Sequence, residues 1–198
     1  MGDEVGPLTV RRARGFLAAG LALATVVPSA LAQTPPGERK AAAERLLDAL
    51  KSAPSEQAAA LVENHVVMLW IGEASPAVRL LLSRASREQQ AGASQDAIED
   101  FGAALALQPE LAEAWRQRAE ARLAAGDRAG ATADLGEALK REPREFLALR
   151  NLAQIAEARG DWKAAFAAWN KLLAFDPKTP GGEYHLKELR RKAFGEET

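Results

Sequence analysis

Residues 112–145 read AEAWRQRAEARLAAGDRAGATADLGEALKREPRE, and the reading of this stretch decides the fold. Its first half, about 111–125, carries one apolar stripe at helical spacing and stops at Gly126. Glycine suits the left-handed conformation that follows a helix, so it reads as a terminator. Asp127 stands next, in position to cap a second helix that runs to about Arg141, before Pro143. Ala131, Leu135, Ala138 and Leu139 fall on one face of that second helix. The small alanines let the two helices approach closely, and the bulkier residues fill the space beside them. A hairpin of this size cannot bury its own apolar face and needs neighbours to stack on.

The neighbours are present in the chain. Prolines fall at Pro109, Pro143 and Pro177, glycines at Gly92, Gly126 and Gly160, and alanines at Ala97, Ala131 and Ala165, each series with a step of 34 residues. The pair Gly126-Asp127 returns as Gly160-Asp161. Three residue types holding one period over three units predict a stack of helical hairpins.

This pattern resembles the tetratricopeptide repeat, whose unit has Trp, Leu, Gly/Ala and Tyr in its first helix, then Ala, Phe and a closing Pro. The middle unit supplies Trp115, Ala119, Gly126, Ala131 and Pro143. The first supplies Ala85, Gly92, Ala97, Phe101, Ala104 and Pro109, and the third Leu152, Ala153, Gly160, Ala165, Trp169 and Pro177. The likeness covers residues 78–179. It departs from the family pattern at the Tyr position, held by Glu88, Arg122 and Ala156, and at the Leu position, held by Arg84, Arg118 and Leu152.

The resemblance implies an all-α fold: a right-handed superhelical α-solenoid of stacked helix-turn-helix repeats with N- and C-terminal capping helices. Its units are 78–111, 112–145 and 146–179. Such a stack curves and offers an elongated concave surface. In the family that surface is lined by the first helix of each unit. Its exposed inner positions here are Arg79, Leu82, Ser86 and Gln89 in the first unit, and Glu113, Arg116, Glu120 and Leu123 in the second. In the third they are Leu147, Arg150, Gln154 and Glu157. The lining is mixed in charge with a few leucines. It suits an extended or helical protein segment carrying both charges and does not suit a polyanion. Family members that bind chaperone C-termini use a Lys/Asn clamp; the matching positions hold Leu82, Ser86, Gln117, Leu147 and Asn151, so that clamp is missing.

The two unusual arginines have a counterpart. Arg84 is followed 16 residues later by Asp100, and Arg118 by Asp134 at the same distance, whereas the third unit has Leu152 and Ala168. Charge on the first helix goes with charge on the second. Arg84–Asp100 and Arg118–Asp134 ion pairs are therefore expected, because a partly buried guanidinium needs a carboxylate and can grip it with two parallel bonds.

Two more helices are expected ahead of the repeats, about 38–51 and 56–71, with the pair 38–74 read as a cap or a degenerate repeat. The first places Leu46, Leu47 and Leu50 on one face; the second places Ala58, Leu61, Val62, His65, Val66 and Leu69 at helical spacing. Ser75-Pro76 restarts the chain with a favourable cap and first-turn proline. After Pro180-Gly181-Gly182 the segment 180–198 reads as a final helix and tail. Its Leu186, Leu189, Ala193 and Phe194 cover the last unit, and Lys187, Arg190, Arg191 and Lys192 remain in water.

The start of the chain is different in kind. Arg11, Arg12 and Arg14 precede an apolar run from 16 to 27, and Ala30-Leu31-Ala32 follows Pro28. A basic start, a short apolar core and a small-residue ending describe a secretory signal of the general export route, cleaved after Ala32, with 33–37 a flexible leader. The run is shorter than the roughly 20 residues needed to cross a bilayer. The expected location is periplasmic or secreted, with no stable membrane insertion after cleavage.

Composition narrows the function. Of the 198 residues, 26 are Lys or Arg and 27 Asp or Glu, for a net charge of −1, a balance that argues against a nucleic-acid partner. There is no cysteine, which excludes disulfides, thiolate metal sites and cysteine nucleophiles. Alanine makes up about a fifth of the chain and favours helix. His65 and His185 lie far apart, and His65 reads as a packed core or edge residue rather than a metal ligand. No phosphate-cradling glycine loop, H-E-x-x-H or G-x-S-x-G sequence occurs. Trp115 and Trp169 fall at repeat packing positions, and Trp70 and Trp162 complete the set. No catalytic, cofactor-binding or metal-binding set is expected. The expected function is a protein–protein interaction module holding a partner segment in its concave groove; the alternative is a structural, self-associating repeat.

Overall fold

The computed structural model describes residues 36–195. The expected export signal at 1–32 and its expected cleavage site lie outside the described residues. The helices, numbered here in chain order, are α1 (Pro36–Leu50), α2 (Glu56–Gly72), α3 (Pro76–Gln90), α4 (Ser94–Leu107), α5 (Ala112–Ala124), α6 (Arg128–Arg141), α7 (Phe146–Ala158), α8 (Trp162–Leu173) and α9 (Gly182–Phe194). No strand occurs among the described residues.

The period of the sequence appears as three hairpins: α3–α4, α5–α6 and α7–α8. Gly92, Gly126 and Gly160 hold φ at 81°, 83° and 71°, the region in which a side chain would clash with the backbone. They turn the chain between the two helices of each unit. Asp127 and Asp161 then cap α6 and α8 by accepting the N–H of Gly130 at 2.8 Å and of Ala164 at 3.1 Å. The α3 helix begins at Pro76 behind its cap Ser75, which accepts the Val78 N–H at 3.3 Å.

Alanines set the spacing. Ala85, Ala97 and Ala104 in the first unit, and Ala119, Ala131 and Ala138 in the second, are wholly buried. Phe101 and Leu135 fill the room left beside them. Trp115 belongs to the apolar clusters of both units and joins one hairpin to the next. Its ring lies between two guanidinium groups, Arg118 at 4.8 Å and Arg141 at 4.7 Å from the centroid. Its Nε1 donates to Pro109 O at 2.8 Å, so the closing turn of the first unit is tied to the second. The last helix, α9, packs on α8 through Leu189, in a cluster with Ala156 and Ala165.

Both intra-unit ion pairs form. Arg118 grips Asp134 with two bonds of 2.8 Å and 2.7 Å, and Arg84 grips Asp100 in the same way. Their settings differ. Asp134 also takes Arg122 Nη1 at 2.9 Å, and the Arg118 side chain is 16% exposed, against 57% for Arg84. Removing a carboxylate from buried cations costs far more than from solvated ones. Asp134→Ala is therefore expected to lose about 3 kcal/mol and Asp100→Ala about 1 kcal/mol, read by urea unfolding. Equal losses would mean that exposure does not set the strength of these pairs.

The N-terminal pair does not extend the stack ahead of α3. It folds back along the repeats, and α2 makes its main repeat contact with α5. Leu47, Leu50, Ala59, Val66, Leu69 and Trp70 share one apolar cluster with Phe146, Leu149, Leu172 and Phe175. The reason is chemical. The outer face of α3 offers exposed Arg79, Leu80, Ser83 and Arg87, while α7 and the end of α8 offer aromatic and leucine side chains that need a cover.

Candidate functional site

The predicted groove positions fall into three zones. At the α3 end, Arg79 is exposed and donates to Ala74 O at 2.6 Å. Ser86 and Gln89 are half-buried and face an open concavity of about 420 Å³, lined also by Gln90, Arg116, Gln117 and Glu120. Leu82, expected at the exposed surface, is 4% exposed and packs in the core of the first unit.

The centre is an ion cluster. Glu113 is 1% exposed, Arg116 6% and Glu145 0%, so two positions expected to be open are closed. Arg116 donates to both oxygens of Glu113, through Nε at 2.9 Å and through Nη2, and to Glu120 Oε1 at 2.5 Å; Glu145 lies 3.8 Å from its Nε. Glu145 also caps α7 by accepting the Ala148 N–H. One guanidinium thus faces three carboxylates. Burial, against the pull of Arg116, raises the Glu145 pKa to about 8, with Glu113 and Glu120 pushing the same way. Spacing along one helix made the Arg116 contacts to Glu113 and Glu120 readable. The approach of Glu145 from the cap of α7 gave no signal, since glutamate is not a usual cap.

The α7 end is covered. Leu147 packs against the N-terminal cluster, and Arg150 donates to Glu63 of α2 and to Thr179. Thr179 Oγ1 donates in turn to Glu63 Oε1 at 3.0 Å. Further along α7, Gln154 is exposed, and Glu157 meets His185 Nε2 of α9 at 2.9 Å. Glu120 links the middle and last units by accepting from Asn151 Nδ2 at 3.2 Å. Leu123 is half-buried in the second unit's cluster. His65, read as a packed residue, is exposed, because α2 turns its other face to the core. No group of three or more metal-ligating side chains occurs among the described residues.

Hairpins of one length, joined at Gly92, Gly126 and Gly160 and stacked through Trp115, complete the geometry. The fold is that of a tetratricopeptide-repeat solenoid. The tetratricopeptide-repeat domain of Sgt2 from Aspergillus fumigatus is similar with a TM-score of 0.54 and 22% identity, covering 60% of this chain and 80% of that one. The MamA protein is similar with a TM-score of 0.54 and 16% identity, covering 80% and 85%. At these identities the likeness establishes the fold alone. No protein-family model matches the chain, and no curated protein matches it.

The surface missed by sequence reasoning is the one facing α1 and α2. Arg144 donates to Asp48 Oδ1 at 2.6 Å and to Glu44, across the seam between α1 and the turn that closes the second unit. Trp70 lies against Phe146 with ring centroids 5.4 Å apart. Glu63, 6% exposed, and Asp176, 0% exposed, are brought together from opposite halves of the chain. Their sequence separation left no trace that spacing alone could reveal.

Proposed function

We propose that this chain is a protein-interaction module that holds a partner segment in the open part of its concave groove, and that it works outside the cytoplasm after removal of residues 1–32. The observation that carries this reading is the concavity between α3 and α5. Its walls are amides and a hydroxyl, Gln89, Gln90, Gln117 and Ser86, beside a cluster whose one cation, Arg116, is taken up by Glu113 and Glu120. Amide side chains donate and accept at once, so such walls suit the backbone of an extended polypeptide and favour no net charge. The charge balance of the whole chain agrees with a partner of mixed polarity. The sequence pattern of residues 1–32, a basic start, a short apolar run and Ala30-Leu31-Ala32, supports the location. Among the described residues no helix is long and apolar enough to cross a membrane.

The fold tells which variants can test this. Reversing Arg116 would report on folding, because three carboxylates depend on it. Gln89 and Ser86 have no such duty. A photo-crosslinker placed at Gln89 in the native envelope is expected to trap one discrete polypeptide, and Ser86→Trp to reduce the yield about tenfold while helicity stays unchanged, a loss of about 1.4 kcal/mol of binding. The same crosslinker at Ala103, exposed on α4, should trap none. Equal trapping from both positions would move the binding surface off the groove; a trapped second copy of this chain would favour self-association.

A further inference from the structure

The N-terminal pair meets the repeats at one recurring position. The residue before each unit-closing proline is Gln108, Glu142 or Asp176. Gln108 Nε2 donates to Glu73 O at 3.1 Å, and its Oε1 accepts the Ser75 N–H at 3.0 Å, so the first contact is neutral and fully matched. The other two contacts are acidic. Glu142 lines a small cavity with Lys40, Glu44 and Glu73, across the seam from α1. Asp176 is buried beside Glu63 of α2; the Lys178 backbone N–H reaches its carboxylate, and no cationic side chain is hydrogen-bonded to it among the described residues. Two seams therefore press carboxylates together where a proton would relieve them. The same docking covers Leu147 and Arg150, two positions of the groove.

We propose that α1 and α2 form a proton-controlled gate over the α7 end of the groove, seated when Asp176 and Glu142 are protonated and loosened when both are ionised. The gate rests on the groove reading given above and names its regulation. Asp176 is faced by Glu63 from α2 and by Arg150 from α7; Glu142 is faced by Lys40 and Glu44 from α1, by Glu73 beyond α2, and by Arg144 beside it. Burial, then Glu63, pushes the Asp176 pKa up to about 7, with Arg150 acting the other way. Burial also raises Glu142 and Glu73 above the ordinary carboxylate range.

The sign follows from linkage. In the seated form these acids hold protons that they release once exposed, where an aspartate titrates near about 4. Seating is therefore strongest in mild acid and weakens as pH climbs through the window up to about 7, the Asp176 value. The seam's ion pairs, Arg144 with Glu44 and Asp48 and Arg150 with Glu63, join carboxylates to arginines that stay charged across that window. They hold the pair in register, while Asp176 and Glu142, whose hydrogen bonds come from the backbone N–H groups of Lys178 and Arg144, make its seating depend on pH. Release would uncover Leu147 and Arg150 and lengthen the groove from α5 onto α7.

Hydrogen exchange of the full chain, followed by mass spectrometry from pH 5 to 8 with times scaled for intrinsic amide chemistry, tests the gate. Protection of residues 36–72 is expected to fall by about tenfold or more relative to residues 112–141, since one unit of pKa difference corresponds to a factor of ten. Asp176→Asn, which mimics the protonated acid, is expected to flatten most of that change. Glu142→Gln is expected to flatten part of it and carries the test should the Asn variant lose helicity. Equal protection at both ends of the range, or variants that follow the parent chain, would overturn the gate. The readout needs no partner, so a flat profile leaves groove binding intact, and a working gate without trapping at Gln89 would sink the groove instead.

Discussion

Replacing Arg116 by methionine lowers the stability of the chain by about 3–5 kcal/mol, the cost of stranding buried charges. The size comes from what stays behind. Glu113 and Glu145 are both nearly inaccessible to water, and Arg116 is the cation that faces them together with Glu120. Methionine fills most of the volume, so packing accounts for little of the loss. Urea unfolding measures it directly through the shift in midpoint. A triple variant, Arg116→Met with Glu113→Gln and Glu145→Gln, should recover more than half, because it replaces the buried acids by neutral amides along with removing the cation. A single variant as stable as the parent would show that water reaches this cluster, which would then be a solvated surface network.

Phe146→Ala is expected to cost about 3–5 kcal/mol, the usual loss for emptying a buried phenylalanine site. Phe146 is 1% exposed and occupies the junction where Trp70 of α2 meets Leu149 of α7 and Leu172 and Phe175 at the end of α8. The damage should also be local in a telling way. The first two units have their own clusters, around Phe101 and around Leu135, and these make no use of Phe146. Hydrogen exchange should therefore show residues 36–72 losing protection before 94–124 does. Uniform loss across the chain would mean that the N-terminal pair and the repeats unfold as one block, and that the seam is as strong as the stack.

These two residues also divide what the sequence reveals from what it hides. Arg116 has its carboxylate neighbours Glu113 and Glu120 at the intervals of one helix turn, and local geometry brings them together wherever the helix goes. Glu145 stands at the cap of α7, and its approach depends on how α5 and α7 stack. Phe146 reads as an ordinary apolar residue at the start of a unit, and its partner Trp70 carries no repeat mark. Arg84–Asp100 and Arg118–Asp134 were readable because both members of each pair lie within one hairpin whose length is set by its glycine. Leu82, Glu113, Arg116 and Arg150 were placed on the groove by helical phase. Phase did not give cover: Leu82 is taken into the core of its own unit, Glu113 and Arg116 close on each other and on Glu145, and Arg150 is covered by α2, a segment with no periodic signature.

The helices, the three equal hairpins, their turns at Gly92, Gly126 and Gly160 and their ion pairs follow from the sequence by itself, because each rests on contacts between residues close along the chain. The course of α1 and α2 over the unit-closing turns, the meeting of Glu63 with Asp176 and the closing of half the groove belong to tertiary structure. Those contacts join residues separated by 35 to 116 positions, and what selects them is the apolar area left uncovered once the repeats have stacked.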